Sequence, residues 1–172
     1  MLVDFTGFAG DCLINGHLDL RAERLTDQLN AESELLLTDV LLEGLLDGRQ
    51  VATPTFTIGR SDLCAVKAGP PRGSHRLRAA TELHRLQAQI GPYTILGRLH
   101  APPGSKALQA IQEREIMVPL TDATIAYVIA GILEVRDVPT VIINRELASW
   151  LRDADVDPVG PPTMAPMETS QV

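Results

Sequence analysis

Residues 118–135 read VPLTDATIAYVIAGILEV, and residues 35–51 read LLLTDVLLEGLLDGRQV: one phrase stated twice in a chain of 172 residues. A shift of 83 positions carries Leu37-Thr38-Asp39 onto Leu120-Thr121-Asp122, Gly48 onto Gly131 and Leu25 onto Leu108. A shift of 81 carries Gly10, Gly16 and Leu18 onto Gly91, Gly97 and Leu99, and a shift of 85 carries Pro54 and Arg60 onto Pro139 and Arg145. Such small drifts are ordinary loop variation. The repeated order of unlike features argues for an internal duplication rather than chance.

Each copy reads locally as strands with one short helix. In the first, 12–20 (CLINGHLDL) suits a strand, and 21–32 (RAERLTDQLNAE) sets Leu25 and Leu29 on one helical face. ELLLTDVLLEGLL and RQVATPTFTI then flank Asp47-Gly48, a two-residue type I′ hairpin signal, and Ser61 to Lys67 closes the unit as a strand. The second copy runs YTILGRLHA, then SKALQAIQERE as a helix, then a hairpin turning at Ala130-Gly131. Its strand 120–129 puts Ala123, Ile125, Tyr127 and Ile129 on one face. ELASWLRD fits either a strand or a helical turn.

A copy of roughly 70 residues buries too little surface to be comfortable alone, so the two are expected to share a core. The expected fold is mainly β with short helices: two copies of a small half-barrel or roll, 1–68 and 85–157, packed about an intramolecular pseudo-two-fold. A basic linker, 69–84, joins them, and the Pro-rich segment 158–172 is expected to be a disordered tail.

Hydrophobic residues make up 45% of the chain and aromatics 3%, so Leu, Ile, Val and Ala must fill the core and few rings are available for base stacking. The net charge of −7 disfavours generic attraction to polyanions and anionic membranes. Cys12 and Cys64 stand apart from any CxxC or His/Cys cluster, which points to a reduced compartment and away from structural zinc. With no basic, apolar leader and no apolar run of membrane-spanning length, the expectation is a cytoplasmic protein without membrane contact.

The pattern RLTDQLNAESELLLTDV, with Gly48 and the later TFTIGRSDLCAV, resembles a small bacterial domain family of unassigned function with an RL-x-D-x-LN…LTDA signature. The second copy keeps PLTDA (119–123) and IINREL (142–147) but lacks the Leu-Asn helix ending. More distantly, the strand order and bent hairpin are similar to Sm-like small β-barrels. The resemblance implies a fold and a duplication, and no activity.

Thr38, Asp39, Thr121 and Asp122 are the most conspicuous polar residues, standing where apolar strands begin. They suit either a paired acid/base or metal site, or a structural role in which Asp and Thr hydrogen-bond local backbone or pair with the repeated Arg60 and Arg145. The structural role is preferred. His17, His75, His84 and His100 show no metal-ligand spacing. Across 69–85, the linker and the first residue of the second copy, Arg72, Arg76, Arg78 and Arg85 reverse the local charge and suit either a polyanion or acidic partner, or simple solvation.

Short catalytic signatures such as G-x-S-x-G and GxxxxGK[ST] are lacking. The expected function is a non-catalytic protein-interaction or scaffolding module, needing no cofactor, that binds a protein partner or itself through edge strands. The alternative is nucleic-acid or nucleotide binding through an Sm-like barrel and the arginine-rich linker.

Overall fold

The computed structural model describes residues 1–69 and 81–155. Its strands are β1 (Leu2–Ala9), β2 (Cys12–Asp19), β3 (Glu34–Gly44), β4 (Gln50–Gly59), β5 (Leu63–Ala68), β6 (Glu82–Ile90), β7 (Tyr93–Ala101), β8 (Met117–Ile129), β9 (Ile132–Asn144) and β10 (Ala148–Asp153). Helix α1 (Leu25–Ala31) lies between β2 and β3, and α2 (Ala107–Gln112) between β7 and β8. All ten strands join one antiparallel sheet in the order β10-β6-β7-β8-β9-β5-β1-β2-β3-β4. The fold is mainly β, with short helices.

The order fixes how the halves meet. A two-fold through the seam would make the strand order palindromic, with like facing like. Instead β5, the last strand of the first half, pairs with β9, the fourth of the second, through Ala65↔Ile143, Val66↔Ile142, Lys67↔Val141 and Ala68↔Thr140. The halves therefore meet with unlike strands at the seam, β5 against β9, rather than like against like.

Burial knits the seam together. One cluster sets Phe8, Leu13, Leu45 and Cys64 of the first half among Tyr93, Ile95, Ile125 and Tyr127 of the second, while another draws Met117 and Ile142 into the core around Phe5, Leu29 and Leu35. Phe8, Tyr93 and Tyr127 meet edge to face with centroids 5.4–6.0 Å apart, a geometry favoured by the ring quadrupoles. Buried Tyr93 donates its hydroxyl to the Ala9 carbonyl at 2.5 Å. Asn30 straps the seam from above: its Nδ2 donates to the Met117 carbonyl at 3.0 Å and its Oδ1 accepts from Met117 N at 2.9 Å.

Three local expectations change. Ala130 and Gly131 do form a positive-φ pair (49° and 76°), as a type I′ turn requires. The first hairpin is wider, because only Gly48 is left-handed and residues 45–49 all lie outside the strands. Leu45 decides this: its side chain is buried, its N–H bonds Asp11 O and its carbonyl accepts from Ala130 N, contacts that a two-residue turn would forfeit. Strand β1 has no counterpart in the sequence reading: Val3, Asp4, Phe5 and Thr6 alternate, but the alternation stops at Gly7 and Phe8, which are both buried. ELASWLRD resolves into a short 3-10 turn and β10.

Candidate functional site

The repeated polar residues turn out to be parts of two matching bulges. Between β2 and β3 the register jumps from Asn15↔Leu41 to His17↔Thr38, so Asp39 and Val40 lie opposite Gly16 alone. Between β7 and β8 it jumps from Leu96↔Thr124 to Arg98↔Thr121, so Asp122 and Ala123 lie opposite Gly97. Asp39 (φ 50°) and Asp122 (φ 46°) are left-handed, the conformation of the first residue in a G1-type bulge, which Asp tolerates better than most side chains. The glycines are needed because a Cβ on Gly16 would lie 3.0 Å from the Thr38 carbonyl, and one on Gly97 2.7 Å from Leu120 Cβ. Pro54 and Pro139 sit opposite the two aspartates, where the β3–β4 and β8–β9 registers skip a pair. No ladder donor is lost there.

The carboxylates themselves point to water. Asp39 and Asp122 side chains are 79% and 72% exposed, with His17 Nδ1 at 3.9 Å from the first and Arg98 Nη1 at 3.4 Å from the second. Arg60 and Arg145 do not reach them. Arg60 Nη1 donates to the carbonyls of Leu29 (3.3 Å) and Asn30 (2.6 Å) in the last turn of α1. Arg145 Nε donates to Arg114 and Glu115 O, both at 3.0 Å, just beyond α2. Arg60 thus satisfies carbonyls that the end of α1 leaves unpaired, whereas Arg145 holds the loop that follows α2. Asp39 and Asp122 thus stand apart from Arg60 and Arg145, each beside its own bulge.

The remaining sequence candidates are scattered. Arg85 lies in β6 opposite Arg98 rather than in a linker, and β6 begins at Glu82. Arg72, Arg76, Arg78, His75 and the tail 158–172 lie outside the described residues. His84 Nε2 is 3.9 Å from Glu82, and His17 Nε2 is 3.5 Å from Asp4. Burial pushes the Cys64 thiol up to about 11, and burial followed by the Asp11 charge does the same to Cys12, so neither is a thiolate nucleophile at neutral pH. Among the described residues, no three His, Cys, Asp or Glu gather as a metal site, and no helix is long and apolar enough to cross a membrane.

Two features remain that can engage another molecule. First, β4 and β10 end the sheet, and among the described residues neither has a strand partner on its outer side. Trp150 on β10 is 41% exposed and Val51 on β4 is 51% exposed. An unpaired strand edge is a row of backbone donors and acceptors open to a further strand. Second, a cleft of about 630 Å³ opens at the seam between β1, β5, β7, β8, β9 and the start of α1. Neither is marked by a short sequence motif, because both are created by how strands far apart in the chain line up. Comparison with protein-family models, curated proteins and solved structures finds no match to this chain.

Proposed function

We propose that the chain is a non-catalytic scaffolding module, built from two head-to-tail copies of one five-stranded half-barrel unit, that associates with further copies of itself by strand addition. The kinship read from RLTDQLN and PLTDA belongs to the same proposal. One observation carries it: the seam inside the chain joins the two kinds of strand that the outer edges leave open. The shift of 85 that takes Arg60 to Arg145 also takes β5 (Leu63–Ala68) onto β10 (Ala148–Asp153), and residues 55–58 of β4 onto 140–143 of β9. Transposed by that shift, the internal ladder becomes Trp150↔Ile58, Leu151↔Thr57, Arg152↔Phe56 and Asp153↔Thr55 between neighbouring molecules.

A heterologous contact of this kind does not stop at a dimer unless a ring closes. It is also weaker than the internal seam. By the shift of 83, Glu113 takes the place of Asn30 and Glu34 that of Met117, so the amide donor to the backbone carbonyl is lost, and the two carboxylates add like charge at the contact. Salt screens that repulsion. Sedimentation velocity tests the reading: association beyond dimer should rise with protein concentration and with added salt, and Thr57→Lys on the β4 edge should abolish it. A monomer at all concentrations and salts would refute self-assembly.

A further inference from the structure

We infer that the cleft at the seam is a binding site for a small amphipathic anion, an aliphatic body carrying a carboxylate or phosphate head. Val3, Leu20, Leu25, Leu99 and Pro119 give the cleft apolar walls, and its volume of about 630 Å³ falls in the range of small-molecule sites, roughly 300–1,000 Å³. Its lining includes no Phe, Tyr or Trp, and the His100 ring is engaged with Thr121, which favours an aliphatic body over a stacked base.

The polar groups specify the head. Thr140 is 6% exposed, and its Oγ1 has no hydrogen-bond partner among the described residues. A buried hydroxyl left unpaired is costly and calls for an explanation. Thr140 lies on β9 between Ala68 of β5 and Thr121 of β8, all three lining the cleft. Thr121 Oγ1 is 2.8 Å from His100 Nε2, so of these two neighbouring hydroxyls Thr140 is the buried one with unused capacity.

Charge points the same way. Arg24, Lys67 and Arg114 line the cleft against Asp4 and Glu23, a cationic excess in a chain of net charge −7. Among the described residues, Arg24 and Lys67 make no ion pair, whereas Asp4 lies 3.5 Å from His17. An anionic head on the Thr140 hydroxyl, within the field of Lys67 and Arg24, gains charge-assisted hydrogen bonds while its chain covers the apolar wall.

Calorimetric titration of the full chain with n-octanoate, n-octyl phosphate, n-octanol and inorganic phosphate tests the inference. At least one of the two amphipathic anions should bind saturably, about tenfold or more tighter than octanol or phosphate alone, and which one binds identifies the head. Thr140→Val should weaken that binding about tenfold while melting at or above the wild type, because a group that serves a ligand and not the fold is lost without harm to the fold. Lys67→Ser, at an exposed position, should weaken the anion and leave octanol unchanged. Equal affinity for octanol, no binding of either anion, or a Thr140→Val protein that melts lower with unchanged affinity would overturn it.

Discussion

Replacing Gly97 by alanine puts a methyl group into the tightest point of the second bulge. The new Cβ would stand 2.7 Å from Leu120 Cβ and 3.3 Å from Ala123 Cβ. Both neighbours are buried, at 0% and 2% exposure, and a Cβ moves only with its backbone, so the strand itself must shift. Overpacking of this kind costs about 1–3 kcal/mol, offset in part by the roughly 0.5–1 kcal/mol that alanine gains over glycine in conformational entropy. The net is about 0.5–2 kcal/mol, or about 1–8 °C in melting temperature for a chain of this size. Gly16→Ala meets its neighbours, the Thr38 carbonyl and Val40 Cγ2, only at 3.0 Å, and should cost less. Thermal denaturation by circular dichroism decides it. A Gly97→Ala protein melting at or above the wild type, or a more damaging Gly16→Ala, would refute the bulge argument.

Three further outcomes follow from the same geometry. Asp122→Gly should leave the melting temperature level or raise it, since the exposed ion pair with Arg98 contributes little, whereas Asp122→Val should lower stability by about 1–2 kcal/mol by forcing a β-branched residue into the left-handed region; the reverse order would restore the carboxylate to a structural role. Burial raises the Cys12 and Cys64 thiols from 9.0 to about 11 and raises Tyr93 and Tyr127 as well. The folded chain thus holds these protons more tightly than the unfolded one, and the resulting stability is complete below about pH 9 and is lost as pH climbs through 11; urea midpoints that stay level from pH 8 to 11 would contradict the burial. An electrophoretic titration against mixed RNA and DNA should show no retention even at low salt, given the net charge of −7; binding that vanishes when Arg72, Arg76, Arg78 and Arg85 become Ser would favour the nucleic-acid alternative.

The sequence made the bulges visible before it explained them. Gly16 with Asp39 and Gly97 with Asp122 stand out as repeated because each pair shares one strained crossing point, but only the register shows that they face one another. Periodicity located the strand around Ala123, Ile125 and Tyr127 because alternation is local. It could not locate the exposure of the aspartates, the arginines' hydrogen bonds to the carbonyls at and after the helices, or the width of the turn at Leu45, since each depends on contacts between residues far apart in the chain. The seam and cleft were illegible for the same reason: Thr140 reads as one polar residue in an apolar strand until β5 and β8 flank it.

The central claim is that the outer edges repeat the inner seam, and disulfide trapping at the transposed register tests it most directly. Thr57→Cys and Leu151→Cys in one chain place thiols on β4 and β10, and the claim pairs them only between molecules. The native Cys64 is buried and Cys12 half-buried, so neither competes readily. Under mild oxidation the double variant should give a ladder of dimers, trimers and larger species on non-reducing gels, collapsing to monomer on reduction, while neither single variant extends beyond dimer. A double variant that stays monomeric under oxidation, or that stops at the same dimer as the single variants, would contradict the claim.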